Sequence, residues 1–281
     1  MPKKIQECDN MAEAENILFF IAMGCYFAAM ILLFAFVGIK KDILAKTAAG
    51  FLAAGLAMHT AALVIRGISA GRVPMTNQFE FATCFAWALC LVSLVFIFKY
   101  HFSILGVFAT PVIFLVMGYA AMQSREIHAL MPALQSNWLV FHVSTAILSY
   151  GSFGVSAVLG TVYLIRGRMR EQSFWGQHVP QRERLDMIAY RSVCLGLLLL
   201  TVTIITGAFW AKKAWGNYWS WDPKETWSLV TWIIYAIYLH LRIMRGWKGK
   251  AAAIFAVIGF ACVIFTYIGV NTLLPGLHSY A

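Results

Sequence analysis

The sequence predicts an all-α integral membrane protein, a polytopic helix bundle of about eight transmembrane helices. Of its 281 residues, 61% are hydrophobic and only 12% are charged, about half the charged fraction of a soluble domain. Apolar runs of about 20 residues, the length of a membrane span, recur along the chain. They lack the alternation of β-barrel strands, so their backbone groups must be paired within helices.

The eight predicted spans leave no room for a soluble domain, because the longest polar gap is about 25 residues. Residues 1–281 are therefore read as one transmembrane domain. The six cysteines include no C-x-x-C and no C-x-x-C-H motif, so the chain lacks a thioredoxin-like thiol pair and a covalent haem site of its own. The spans are residues 17–39, 43–69, 79–98, 102–121, 139–165, 191–211, 226–243 and 251–271.

Basic residues predict the orientation of the chain. The net charge of +10 is better explained by cytoplasmic loops than by nucleic-acid binding, since Lys and Arg concentrate on the inner side of a membrane. Eight spans put both termini on one side. With both outside, the inner loops 40–46, 98–102, 165–191 and 242–250 hold 14 of the 22 basic residues. We therefore expect both termini to be extracytoplasmic.

One outer segment, between the sixth and seventh spans, is unusually aromatic. Residues 215–227 read WGNYWSWDPKETW, here called the tryptophan-rich segment. Asp222, Pro223 and Glu225 have the spacing of a capping box with Pro at the first helical position. The aromatic residues are read either as an interfacial belt or as an apolar platform for a large planar ligand. They are Trp215, Tyr218, Trp219, Trp221 and Trp227.

Two histidines are predicted on the same outer face. His142 begins the fifth span, one turn from Trp138, and His278 lies in the short outer tail. Two imidazoles beside an aromatic platform suit bis-histidine ligation of haem iron. The alternative is two unrelated interfacial histidines.

His59 and His240 are predicted inside apolar spans, where ionisable groups are costly and are functional candidates. They are read either as neutral imidazoles bonded to neighbouring helices or as ligands of a second, intramembrane haem. The loop histidines His101, His128 and His178 are expected to be solvated.

A polar turn from Arg66 to Glu80, here called the arginine turn, joins the second and third spans. Arg66 and Glu80 are expected to pair across it. Alternatively, Arg66 or Arg72 binds an anionic group such as a haem propionate, because arginine recognises carboxylates with two parallel hydrogen bonds.

These residues resemble those of a known family. WGNYWSWDPKETW is similar to the WWD signature of haem-handling proteins, and the chain looks like the CcsA/ResC-type subunit of the two-protein (system II) cytochrome c synthase. The resemblance also covers the number of spans, the G-x-x-P-x-x-N-x-x-E pattern within the arginine turn, and the outer histidines.

The resemblance implies that the chain carries haem b across the membrane, as a bound substrate, to the outer aromatic site. There the haem is joined to the C-x-x-C-H motif of apocytochrome c, which makes the chain part of a haem lyase complex. The expected axial ligands are His142 and His278 outside and His240 in the membrane, with His59 or a partner residue opposite His240. The aromatic residues, Asp222, Trp138, Arg66 and Arg72 would contact the haem.

The implied partners are a ResB/CcsB-type membrane protein, apocytochrome c, a thiol-reducing thioredoxin-like protein and membrane lipid. The implied location is the bacterial cytoplasmic membrane, with the active face extracytoplasmic, or the thylakoid membrane in a plastid.

Two other functions are weighed against this one. A haem b subunit that exchanges electrons with quinone would usually carry two histidines on one helix, and no predicted span does. A haem-free transporter or glycan-processing enzyme would stack sugars on the aromatic rings and would need an acid pair in the outer loops.

Overall fold

The computed structural model is all-helical in the part that it describes. It describes residues 2–100, 102–127, 134–274, 276 and 277, with the side chains of residues 2–9, 100, 175 and 178 left aside. The chain forms two compact units, residues 1–127 and 128–281. The prediction of one transmembrane domain stays a prediction.

Unit 1 contains four long helices. They are α1 (Pro2–Ile39), α2 (Asp42–Ala70), α3 (Gln78–Tyr100) and α4 (Ser103–Ala121). Helix α1 packs most extensively on α2, and α3 packs on α4. Helix α2 ends at Gly71, whose φ of 62° lies in the left-handed region, so the chain turns there at little steric cost.

Unit 2 contains the remaining helices. They are α5 (Asn137–Arg166), the short α6 (Phe174–His178), α7 (Arg182–Trp215), α8 (Pro223–Met244), α9 (Lys250–Ile264), a π-helical turn (Phe265–Gly269) and α10 (Val270–Leu273). Helix α5 packs against both α7 and α9. Polar contacts join these apolar helices. The Ser149 hydroxyl donates to the Gly196 carbonyl at 2.8 Å, and the Trp232 indole donates to the Thr201 hydroxyl at 2.8 Å.

The predicted number of spans is confirmed. Eight helices in the described part of the chain are long and apolar enough to cross a membrane, so the protein is an integral membrane protein. The sixth span is longer than predicted, because it begins at Arg182 and ends at Trp215. Its buried face already includes Leu185 and Ala189, which continue the helical periodicity back into the polar region that was expected to be a loop. The orientation of the termini stays a prediction.

Candidate functional site

The tryptophan-rich segment links the end of α7 to the start of α8. Trp215 is the last residue of α7, and Gly216 follows with a φ of 85°. The Gly216 carbonyl accepts a hydrogen bond from the Lys212 ammonium group at 2.7 Å. A cation at a helix C-terminus is also favoured by the helix dipole. The local sequence therefore ends α7 sharply and turns the chain into the loop.

The predicted capping box at the start of α8 is confirmed. Asp222 Oδ1 accepts from the Lys224 amide at 3.0 Å, and Glu225 Oε2 accepts from the Asp222 amide at 3.2 Å. The helix begins at Pro223, as the spacing predicted. Both acidic side chains are buried, so they serve the backbone rather than the solvent.

Glu225 also holds an unusual backbone conformation at Trp221. Trp221 has a φ of 57°, a left-handed value that side-chain-bearing residues rarely adopt. The amide of Ser220, on one side of Trp221, donates to Glu225 Oε2 at 2.8 Å, and the amide of Asp222 donates from the other side. One carboxylate therefore binds the amides of the two residues that flank Trp221, Ser220 and Asp222, while Trp221 itself is 68% exposed.

The five aromatic residues of the segment do not lie in one plane. Trp215 contacts the buried Trp210 at 4.8 Å between ring centroids, and Trp227 contacts Phe265 of the π-helical turn at 4.4 Å. Tyr218 and Trp221 are exposed. Trp219 and Trp221 meet edge to face at 88°, so these two rings form a corner rather than the flat platform that the sequence suggested.

A buried donor remains at this corner. The indole Nε1 of Trp219 is buried and has no hydrogen-bond partner among the residues that the structure describes. An unpaired buried N–H is costly, so it suits a ligand that brings an acceptor.

His142 is held near the tryptophan-rich segment through Trp210. Its Nδ1 lies 2.8 Å from the Thr203 carbonyl of α7, and its ring is stacked on Trp210 at 5.9 Å and 19°. A carbonyl only accepts, so Nδ1 carries the proton and the neutral ring keeps its lone pair on Nε2, as in many metal-binding histidines. Gly207 makes room for the ring, because a Cβ there would lie 2.7 Å from Nδ1.

Trp138 takes part in a second aromatic chain at this end of unit 2. It stacks on Phe209 at 5.0 Å and 21°, and Phe209 meets Tyr218 edge to face at 6.0 Å. Two series of ring contacts therefore link α5 to the tryptophan-rich segment. One runs from Trp138 through Phe209 to Tyr218, and the other from His142 through Trp210 to Trp215. The structure brings these predicted site residues together.

The C-terminal tail also reaches the segment. The Leu277 amide donates to Asp222 Oδ2 at 2.6 Å. The predicted ligand His278 is the next residue in the sequence and lies outside the described residues, as do His101 and His128.

His240 lies on α8 far from the capping residues Asp222 and Glu225. It is 17 residues after Pro223, or about 26 Å along a helix with a rise of 1.5 Å per residue. Its side chain is exposed.

In unit 1, His59 is fully buried. Its Nδ1 lies 3.2 Å from the Tyr26 hydroxyl. Its Nε2 has no hydrogen-bond partner among the described residues, so one ring nitrogen is available to a ligand that enters this packed region.

The arginine turn forms an ion-pair network. Glu80 accepts from Arg66 Nε at 3.0 Å and from Arg72 Nη1 at 2.7 Å, which confirms the expected pairing of Arg66 with Glu80. Arg66 also donates to the Arg125 carbonyl at 2.6 Å. Glu15 also belongs to this network and was not predicted: its Oε1 lies 3.5 Å from Arg66 Nη1, and its side chain is buried. Its position two residues before the predicted first span, which begins at residue 17, was the available signal.

Thr203 and Gly207, which lie against His142, were not predicted because neither has a distinctive sequence pattern. Thr203 contributes a main-chain carbonyl, which carries no sequence signal. Gly207 is a single glycine in an apolar run. An isolated glycine in a helix is the one sequence signal that another group packs closely against the backbone there.

Residues 75–278 match the model of a family described as Cytochrome C assembly protein. The chain belongs to this family. Curated relatives named "Cytochrome c biogenesis protein CcsA" include one from Prochlorococcus marinus (strain NATL2A), 40% identical over 255 residues, covering 79% of this chain and 80% of the relative. A Synechococcus relative (strain CC9902) is 36% identical over 298 residues, covering 94% and 98%. One from Chlamydomonas reinhardtii is 37% identical over 230 residues, covering 78% and 64%.

A solved structure titled "Cytochrome c Heme Lyase CcmF" has the same fold as this member of the cytochrome c assembly family. The TM-score is 0.73 at 14% sequence identity, over 92% of this chain and 46% of that one. At this identity the likeness concerns the fold alone. The chain spans about half the length of that protein.

Proposed function

We propose that this protein carries haem b across the membrane and presents it at the tryptophan-rich segment for covalent attachment to the C-x-x-C-H motif of apocytochrome c. The observation that carries the proposal is the setting of His142. Its Nδ1 donates to the Thr203 carbonyl, its ring stacks on Trp210, and Trp210 contacts Trp215 of the segment. The geometry suits an axial ligand beside an aromatic site.

The segment has further features that fit haem. The indole N–H of Trp219 is buried without a partner in the described part of the chain, and a haem propionate supplies the missing acceptor. The exposed rings of Tyr218 and Trp221 supply apolar contact area for the macrocycle. His278, next to the anchored Leu277, is proposed as the second axial ligand.

The chain needs no nucleophile for this reaction. Each thiol of apocytochrome c adds across a haem vinyl group, so the sulfur bonds to one vinyl carbon, the thiol proton ends on the other, and no net electrons are required. The contribution of this protein is to hold haem and acceptor peptide in a reactive geometry. A thiol-reducing thioredoxin-like protein keeps the acceptor cysteines reduced, because this chain has no C-x-x-C pair.

His240 is proposed as a ligand of haem on its way through the membrane. It is exposed on α8, four residues before the helix ends at Met244, so a ResB/CcsB-type partner can supply the opposite ligand there. The role of His59 as that opposite ligand stays a prediction. The binding of a haem propionate by Arg66 or Arg72 also stays a prediction, and both arginines already donate to Glu80.

The test is an optical spectrum and iron count of the purified protein, with and without its partner. Wild type should carry haem with two nitrogen ligands. His142→Ala should lose most of it and stop cytochrome c maturation, and added imidazole should restore part of both by filling the vacated position. The matched control is His178→Ala, in a predicted inner loop, which should retain haem.

Two outcomes would contradict the proposal. Haem retention by His142→Ala, with loss in His178→Ala, would refute the ligand assignment. Normal cytochrome c maturation in cells that lack this protein, together with bound haem that quinol reduces, would favour the electron-transfer alternative instead.

Orientation has its own test. With both termini outside, a reporter active only in the cytoplasm and fused after Ala281 should be silent, and a strong signal would place the tryptophan-rich segment on the inner side.

A further inference from the structure

The two carboxylate oxygens of Asp222 serve different parts of the chain. Oδ1 accepts from the Lys224 amide at 3.0 Å and caps α8. Oδ2 accepts from the Leu277 amide at 2.6 Å, which is 55 residues further along the chain. Capping requires only one oxygen, so the second contact is a separate function of this side chain.

The contact at Oδ2 is closely fitted. A Cβ on Gly276 would lie 2.6 Å from Asp222 Oδ2 and 3.1 Å from Pro223 Cδ. Cβ atoms essentially never lie at the shorter distance, so a side chain at residue 276 would force the tail or the Asp222 carboxylate to move. The tail is therefore packed against the start of α8.

Charge and burial strengthen the contact. Asp222 is only 6% exposed, and a hydrogen bond to a buried carboxylate is stronger than one between neutral groups. A carboxylate accepts through both oxygens at once. The amide of asparagine accepts through one and donates through the other, so it can preserve the cap or the tail contact but not both.

We propose that Asp222 is a positioning residue, a latch that fastens the C-terminal tail to the tryptophan-rich segment and thereby sets the place of the next residue, His278. Consecutive Cα atoms are about 3.8 Å apart, so a residue that follows a fastened Leu277 has fewer positions open to it than one on a free tail. The latch acts through His278 and does not itself touch iron. Its role in haem ligation rests on the proposed function.

Two variants open the latch by different means. Asp222→Asn leaves one acceptor oxygen, for which the Lys224 and Leu277 amides compete, whereas Gly276→Ala leaves Asp222 intact and pushes the tail away. Glu225→Ala is the contrast, because it removes the other half of the capping box and the acceptor for the amides that flank Trp221 without touching the tail.

The first measurement is amide hydrogen exchange at Leu277 in the haem-free, full-length protein. Exchange should speed up by about tenfold or more in Asp222→Asn and Gly276→Ala, as expected when a hydrogen bond to a charged acceptor is lost. Glu225→Ala should change it much less. Unchanged exchange in both latch variants would overturn the latch, whatever the haem content.

The second measurement is the haem spectrum with and without imidazole. Both latch variants should lose bis-histidine ligation, and added imidazole should restore a second nitrogen ligand, as it should in His278→Ala. Haem lost from Glu225→Ala should not return, because imidazole cannot rebuild the loop. Faster exchange with wild-type ligation would overturn the positioning role while the proposed function stands. Wild type without haem would overturn the proposed function, and with it this role.

Discussion

The tryptophan-rich segment and the arginine turn both place buried carboxylates between membrane helices, and they use them in opposite ways. In the arginine turn, Glu80 accepts from two arginine side chains and from the Thr76 amide, so charge is balanced by charge within the protein. In the tryptophan-rich segment, Asp222 and Glu225 accept from main-chain amides. The carboxylates there shape the backbone.

This difference separates a structural network from a candidate binding site. A haem propionate at the arginine turn would have to compete with Glu80 for both arginines. At the tryptophan-rich segment, two rings are exposed, and the Trp219 indole N–H has no partner within the described residues. A ligand can therefore bind at the segment without first breaking an ion pair, which is why we propose the segment, and not the arginine turn, as the haem site.

The largest effect is expected from Glu80→Gln. The substitution leaves the buried Arg66 and the partly buried Arg72 against a neutral amide, which should lower the free energy of unfolding by about 3–5 kcal/mol. Thermal unfolding in detergent would measure the loss. The control is Glu13→Gln, at an exposed position in the same unit, where little change is expected.

The same variant can reverse the comparison. If Glu80→Gln were as stable as wild type but lost haem, the arginines would be serving a bound carboxylate, and the arginine turn would belong to the binding site.

A smaller effect is expected from Gly207→Ala. The new Cβ would lie 2.7 Å from His142 Nδ1, so the ring must leave the Thr203 carbonyl. Losing the partner that orients a metal-binding histidine weakens binding by about tenfold or more, and a haem titration would measure this. Gly151→Ala on α5 is the matched control, because a Cβ there meets nothing within 4 Å. Equal affinities in the two variants would argue against His142 as a ligand.

The smallest effect is expected from Trp219→Phe. Phenylalanine keeps an apolar ring but removes the indole N–H, so haem affinity should fall by about 0.5–1.5 kcal/mol. Trp247→Phe, in the loop between α8 and α9, should leave the affinity unchanged. Normal affinity and maturation in Trp219→Phe and Trp221→Phe alike would reduce the segment to an interfacial belt.

Features that depend on near neighbours in the chain could be predicted from the sequence. The eight spans follow from runs of apolar residues. The capping box of Asp222 and Glu225 follows from a spacing of three residues. The family resemblance rests on the composition of residues 215–227. Each of these features lies within one continuous stretch of the sequence, and the two capping residues lie within one helical turn of one another, so the chain order already brings the groups together.

Features that join distant parts of the chain depended on how the helices pack. His142 meets the Thr203 carbonyl across α5 and α7, Glu15 is buried beside Arg66, and Asp222 reaches Leu277. Nearly every residue carries a main-chain carbonyl and amide, so the sequence does not indicate which of them will bind a distant side chain. Nor does it indicate which group the second carboxylate oxygen of Asp222 will bind. These contacts are set by helix register and by the gaps that Gly207 and Gly276 leave, which exist only once the helices are packed.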